Sequence, residues 1–489
     1  MSRHVVVVGG GITGLAALEQ LSRVAPGARI TLLEAIARLG GHIRTERHDG
    51  FVMEAGPDVI LTAKPAALDL AGRVGLASRV QSTSARAKGS YILSKGRLVR
   101  MPEGMSGLVP SRLGPFVTTP LVSWRGKARV ALDYVIPRRR GTEDESIERF
   151  VVRRLGREMY ENIVEPLLSG ISAGDGASLS IDAMFPRLRA LEREHGGLIR
   201  GVLASKRARN AGAPAMGSGF ASFPLGLQEL VEAIERAVRD RARNGQRIAI
   251  RLGAVAKRIV LAAPWTDPAG DSGFVVTLTN GESLAADAVI MATPAHVAST
   301  LLRGIDRELA DALDAVEYAS TITISLAYPL SAVGRQLDAT GYVVPRIERR
   351  PVLACTFTSA KFDGRSPADR ALFRLFLGGV GREYVDALTD TELLDIARVE
   401  LQTVMGIHAV PLLTRVNRFD RAMPQYTVGH GARTARILAA ASRIPGLEMA
   451  GAIYTGLGIP DCVRSGVDAA DRVLPALSSG TPTLSELPT

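Results

Sequence analysis

The chain opens on four consecutive valines, Val5 to Val8, with no alternation of polar and apolar positions. Such a run suits a strand buried on both faces, as in a parallel sheet. The next residues, ITGLAALEQL (12–21), repeat apolar positions at helical spacing, and ARITLLEA (28–35) predicts a second strand. Further on, GFASFPLGLQELVEAIERAVRD (219–240) predicts a loop and a strongly amphipathic helix. RIAIRLGAVAKRIV (247–260) reads as strand, turn and strand. FVVTLTNGESLAADAVIMATP (274–294) reads as a hairpin closed by Asn-Gly, then another strand. Residues 105–215 are mostly helical and basic in pattern, and 300–411 read as strands and helices of a second layer. At 450–474, AGAIYTGLGIPDCVRSGVDAADRVL returns to the opening device of a glycine turn leading into an amphipathic helix. No internal repeat is seen, and a polar Ser/Thr/Pro tail follows residue 477.

At 489 residues the chain exceeds one compact core, which predicts two or three domains. Hydrophobic residues at 46% and charged ones at 22% exclude a disordered composition. A net charge of +11 favours anionic partners: nucleic acid, a membrane surface or a polyanionic small molecule. Aromatics at 5% and the lack of any nucleic-acid motif turn the reading away from nucleic acid. Two cysteines, Cys355 and Cys462, leave no disulfide framework and fit a reducing compartment. Without a signal-like start or an apolar run of spanning length, the expected location is cytoplasmic. Residues 105–136 are apolar with basic punctuation, so either peripheral membrane contact or a substrate-domain helix pair fits them.

Gly9, Gly11 and Gly14 form G-x-G-x-x-G between the first strand and helix. Gly9 permits the tight turn, Gly11 the approach of a pyrophosphate, and Gly14 close helix–strand packing, with the helix amides facing the anion. Glu34 closes the second strand, where a carboxylate accepts from ribose hydroxyls and repels a 2′-phosphate. The following ARLGGHIRT (37–45) contains R-x-G-G and resembles the FAD-containing amine-oxidase superfamily. The resemblance implies FAD bound by Gly9, Gly10, Gly11, Ile12, Thr13, Gly14, Glu34, Ala35, Arg38, Gly40 and Gly41. Arg38 suits a phosphate, or the segment is a helix C-cap with an incidental arginine. His42 stands where relatives often carry Lys, and Gly56, Pro57, Asp58 and Val59 would lie beside the ring system. Val255 is either an adenine contact or a buried strand residue. The second glycine turn would aim Leu457, Gly458 and Ile459 at the isoalloxazine, where helix amides stabilise charge on the reduced ring.

The implied fold class is α/β: a Rossmann-type, discontinuous FAD-binding domain of GR2-like type over 1–72, 220–300 and 412–489. An α+β substrate-binding domain would span 73–104 and 301–411, with a mostly helical, basic insertion over 105–219. IVEPLLSGISAGDGASLSIDAMFPRL (163–188), EREHGGLIRG (192–201), MPQYTVGH (423–430) and GLGIPDC (456–462) resemble the porphyrinogen oxidases of haem biosynthesis. That family oxidises either coproporphyrinogen III or protoporphyrinogen IX, with O2 as acceptor. Members of the second kind carry an arginine before an aromatic where Ser90 stands here, and LGPFVTTPLVSWRGKARVALDYVIP and GPDVILTAK resemble the first kind. The resemblance thus implies coproporphyrinogen III as substrate, with protoporphyrinogen IX as the alternative. It places Lys64 at a propionate or in proton transfer, unless it is a solvated surface lysine. Gly174 would turn its backbone to a pyrrole N–H or serve as a plain turn glycine. Val343, Thr356 and Phe376 would sandwich the macrocycle, although Thr356 departs from the usual apolar residue. Phe419 replaces a tryptophan common near the flavin, or is a core aromatic. No histidine has metal-ligand spacing, so no metal is expected. Transient contact with ferrochelatase stays open, as do another superfamily oxidase, of amines or carotenoid precursors, and a non-catalytic FAD scaffold.

Overall fold

The computed structural model describes residues 3–106, 109–110, 113–210, 219–262 and 273–478. The polar tail beyond 478 and parts of 105–136 and 105–219 lie outside them.

The valine run forms the strand His4–Val8, central in a five-stranded parallel sheet. Its sheet order is Ile248–Arg251, Arg29–Leu33, His4–Val8, Ala288–Met291, Leu447–Met449. Three distant stretches of chain therefore build one sheet. Val5 and Val7 enter one core with helices Ile12–Val24, Gln228–Arg243 and Ile459–Ser478. Val6 and Val8 enter the other, under helices Ala295–Leu302, Arg307–Asp314 and His430–Ser442. Burial on both faces is why the run shows no alternation. The 247–260 stretch divides between sheets: Ile248–Arg251 joins the parallel one, while Ala256–Leu261 pairs with Phe274–Leu278 in a meander. The Asn-Gly hairpin forms as expected, with Gly281 at φ +88°.

A second sheet of seven strands runs in the order Leu413–Pro424, Tyr318–Pro329, Arg370–Gly378, Ala354–Phe357, Gly341–Val343, Tyr91–Ser94, Arg97–Arg100. It corrects the boundary expected at 412: Leu413–Pro424 is an edge strand here, paired antiparallel with Tyr318–Pro329. Backbone pairing ties it to this sheet, although the chain after it returns to the parallel one. One face packs on helix Asp390–Met405 through Cys355, Leu375, Ile324 and Leu393. The third region is helical and has its own core around Phe150, Ile163, Leu168 and Leu191. A π-helical turn, Tyr160–Val164, leads there into helix Glu165–Ser172.

In the basic stretch PRRR at 137–140, Arg139 pairs with Glu143 at 3.0 Å, and Arg138 donates to the Arg193 carbonyl. Residues 113–131 supply the two expected helices, Leu113–Thr118 and Trp124–Ala131. Trp124 is 72% exposed and Val135 68%, so part of this segment's apolar surface faces outward. No described helix is long and apolar enough to cross a membrane.

Candidate active site

The first glycine turn is shaped by close backbone approach. Gly9 sits at φ +108°, and a Cβ there would lie 2.6 Å from the Ala292 carbonyl oxygen. A Cβ at Gly14 would overlap the Gly9 carbonyl oxygen. Gly11 differs: its φ is −69° and a Cβ would meet nothing nearer than Gly41 Cα at 3.9 Å. That space opens before a helix that has no side-chain cap and no acid in its first turn. Uncapped first-turn amides and an open approach form a cradle that fits a diphosphate. Buried Glu34 accepts from Gly10 N–H at 2.7 Å and Ile36 N–H at 2.9 Å, which leaves acceptor capacity on both oxygens for hydroxyls. Ala254 N–H donates to the Glu34 carbonyl, bringing the Val255 loop beside it. Val255 is 38% exposed and lies outside any strand, so the buried-strand reading is set aside.

The R-x-G-G loop folds onto this turn. Gly40 N–H donates to the Gly10 carbonyl at 2.9 Å, and Gly11 and Gly40 form a parallel bridge. Arg38 spends three N–H donors on the carbonyls of Leu39, Ile43 and Gly41, so it shapes the loop, with two of its five donors left for an anion. His42 remains solvent-accessible in a recess of protein, edge-on to Phe419 at 5.9 Å. Enclosure, then the Arg38 charge, pushes its imidazole below the ordinary pKa, so it is neutral at pH 7. Gly56 backs directly onto the His42 carbonyl, with Phe419 Cζ 3.7 Å from where its Cβ would be. Pro57, Asp58 and Val59 are half-buried beside it.

The second turn converges on the first. Ile459–Ser478 packs along Ile12–Val24, and Gly466 approaches so closely that a Cβ would overlap the Thr13 carbonyl oxygen. Pro460 occupies the first helical turn, as its fixed φ favours. Leu457 reaches toward the helical region's core, Gly458 is exposed, and the Ile459 side chain is buried. Tyr426 donates to the Ala452 carbonyl and stacks on His430 at 3.9 Å, anchoring the segment that precedes the turn.

The remaining candidates lie on the face of the second sheet opposite helix Asp390–Met405. Register places Ile92, Val343, Ala354, Phe376, Thr323 and Asn417 in one row across it. Thr356, Arg374, Ser325 and Arg415 form the next row, and Gly378, Thr321 and Phe419 the row on the other side. Residues in register or two apart share a face, so Val343, Thr356, Phe376 and Phe419 lie on the same face of the sheet. Thr323 Oγ1 donates to the Ala55 carbonyl at 2.8 Å, and Arg374 donates to those of Glu54 and Gly56. A Cβ on Gly170 would lie 3.4 Å from Val343, so helix Glu165–Ser172 closes the other end of the face. Ser90 and Thr340 join their hydroxyls at 2.8 Å.

Two nominated residues do not present themselves as expected. Gly174 is buried; its N–H meets Ser172 Oγ at 3.3 Å and its carbonyl accepts from Arg346 at 3.3 Å, so both backbone groups already have a protein partner. Lys64 gives its ammonium to both oxygens of Asp461 at 2.7 Å, at the start of the last helix. Asp58 is likewise held, by Lys361 at 2.7 Å. Burial alone would raise its carboxyl, but the Lys361 and Arg374 charges override this and hold it at about 2. Lys361, Arg374 and Asp461 were absent from the sequence expectations. Asp461 alone had a signal, since it lies inside the GLGIPDC motif. Among the described residues, no cluster of His, Cys, Asp or Glu could hold a metal.

A glycine cradle for a diphosphate, a carboxylate for ribose and a second glycine turn opening a helix packed along the first define a dinucleotide-dependent oxidoreductase of the FAD type. The chain belongs to the flavin containing amine oxidoreductase family, whose model matches residues 12–474. FAD is accordingly its cofactor. It is 34% identical to a protein named coproporphyrinogen III oxidase from Bacillus subtilis, over 98% of this chain and 99% of that one. A protein of the same name from Propionibacterium freudenreichii is 35% identical over 98% of this chain and 92% of its own length. A solved structure from Exiguobacterium sp. 255-15, provisionally named a protoporphyrinogen oxidase, superposes with a TM-score of 0.82 at 30% identity, covering 97% and 99% of the two chains.

Proposed function

We propose that this chain oxidises coproporphyrinogen III to coproporphyrin III in haem biosynthesis, with FAD as electron acceptor and O2 reoxidising it to yield hydrogen peroxide. The observation that carries the reading is the end-to-end likeness to two proteins named coproporphyrinogen III oxidase. The site is consistent with it. Aromatisation removes six electrons and six protons in three two-electron steps. Each takes a hydride from a meso carbon and releases a proton, and tautomerisation shifts hydrogen between carbon and nitrogen, so that the net loss is four meso and two pyrrole N–H hydrogens. FAD supplies a two-electron acceptor, reoxidised by one O2 per step.

The protein's part is positioning and exclusion of water. The amides of Gly11, Ile12 and Thr13, the loop of Gly40 and Gly41, and the Glu34 carboxylate would hold the cofactor's diphosphate and ribose. The row Val343–Ala354–Phe376 would offer the macrocycle an apolar floor, with Phe419 and His42 at its flavin end. Neutral, accessible His42 would contact the ring system. Protoporphyrinogen IX is the second reading, favoured by the name of the Exiguobacterium structure. The reading places the enzyme in the cytoplasm, at most touching a membrane surface through the exposed side chains near Trp124.

The test is porphyrin fluorescence in air with coproporphyrinogen III and protoporphyrinogen IX in parallel, against no-enzyme blanks. The faster rate is expected with coproporphyrinogen III. A preference for protoporphyrinogen IX would overturn the substrate assignment, and no reaction with either would overturn the enzyme reading.

A further inference from the structure

Lys64 is the nominated cation closest to the second glycine turn, and its surroundings assign it different work. It ends the segment after strand Ile60–Leu61, immediately before helix Ala66–Arg73. That helix packs through Ala67, Leu70 and Ala71 into the core shared by Val463, Ala470 and Val473 of the last helix. The Lys64 ammonium lies 2.7 Å from each Asp461 oxygen. Asp461 stands in the last helix's first turn, its N–H donating to the Gly458 carbonyl at 3.0 Å. Its Oδ2 lies over the turn itself, 2.5 Å from where a Cβ on Gly456 would be and 3.2 Å from one on Gly458. Thr455 Oγ1 donates to the Asp461 carbonyl at 3.2 Å, closing the loop from the other side.

A carboxylate is at home at a helix N-terminus, where it meets the positive dipole end. At this turn it carries a consequence. If the turn faces the flavin ring, as the proposed function requires, an unpaired anion there opposes the negative charge that two-electron reduction brings. Asp461 is only 15% exposed, so solvent screens it weakly, whereas Lys64 at 48% remains hydrated. The bidentate contact cancels the anion where water does not.

We propose that Lys64 is a positioning residue: paired with Asp461, it fixes the Gly456–Gly458 turn and neutralises it, so that the flavin's reduction potential, rather than the binding of a substrate carboxylate, depends on Lys64. The inference rests on the FAD reading above.

The experiment measures the two-electron potential of the bound flavin, by dye equilibration, in the holoenzyme and in Lys64→Met, Asp461→Asn, the double variant and Lys64→Arg. The KM for coproporphyrinogen III is taken alongside. Lys64→Met is expected to shift the reduction equilibrium about tenfold toward oxidised flavin, about 30 mV for a two-electron couple. The double variant, having no unpaired charge, is expected to recover most of that shift, as is Lys64→Arg. A merely structural lysine would not give recovery on removal of its partner. An unchanged potential in Lys64→Met overturns the proposal whatever happens to KM. A shifted potential that the double variant fails to recover also overturns it. A wild-type protein that binds no flavin would break the FAD reading itself, and would be seen before any variant is made.

Discussion

The two glycine turns open a pair of helices that pack along each other, yet they are held by different forces. The first is a steric device: Gly9 and Gly14 exist because carbonyl oxygens occupy the space of their side chains. The second is fixed by groups distant in sequence, the Lys64–Asp461 pair and the contact of Gly466 on Thr13. A turn built on sterics survives any salt or pH that leaves the fold intact. One built on an ion pair is open to charge substitution.

The comparison is broken most severely at Gly14. Gly14→Ala sets a methyl against a backbone oxygen that cannot rotate away, and overpacking of this kind costs about 3 kcal/mol or more. The expected result is a lower melting temperature and loss of bound FAD, read by thermal denaturation and flavin absorbance. Glu34→Gln comes next. It keeps the shape but turns an NH2 toward either Gly10 N–H or Ile36 N–H, at about 1–3 kcal/mol. Weaker FAD retention in equilibrium dialysis should accompany the destabilisation.

Asp58 gives an effect of similar size that depends on pH. Its folded pKa of about 2 lies below its ordinary 3.8, so ionised Asp58, opposed by burial but held by Lys361 and then Arg374, adds about 2 kcal/mol that is fully present above pH ~4. It is lost as pH falls from about 4 toward 2. The stability gap between wild type and Lys361→Met in urea should therefore narrow over that window; a constant gap would count against the pairing. Gly11→Ala sharpens the comparison with the smallest effect on the fold. Its Cβ has room and its φ suits alanine, so stability should change by less than about 0.5 kcal/mol. FAD binding should nevertheless weaken, because the methyl enters the diphosphate's space. A large loss of stability would mean that Gly11, like Gly14, serves packing.

Much of the fold was legible wherever local pattern and burial agree. The valine run, the amphipathic helix at 228–243 and the Asn-Gly hairpin carry their structure in spacing and turn chemistry. The strand Leu413–Pro424 was assigned to the wrong unit because partner choice in a sheet is a long-range matter that no local period encodes. Val255 shows the same limit on a smaller scale: an apolar residue between two strand patterns became an exposed loop position, because the strands on either side joined different sheets.

The glycine-rich ligand turns were legible too, since few residues tolerate positive φ or such close backbone approach. The gathering of Val343, Thr356, Phe376 and Phe419 on one face followed from the resemblance, and register explains it. The charged partners were not legible. Lys64 and Asp461 lie 397 positions apart, and nothing in either neighbourhood names the other. The same holds for Asp58 and Lys361, and for Arg374 with the carbonyls of Glu54 and Gly56.

By itself, then, the sequence determined the elements and the two turns, because backbone sterics and hydrophobic period act over a few residues; FAD in particular was implied by the family resemblance. Only the tertiary structure decided which charges meet. An ion pair depends on distance in space, and that distance is set by how the helices Ala66–Arg73 and Ile459–Ser478 pack, which no short stretch of chain contains.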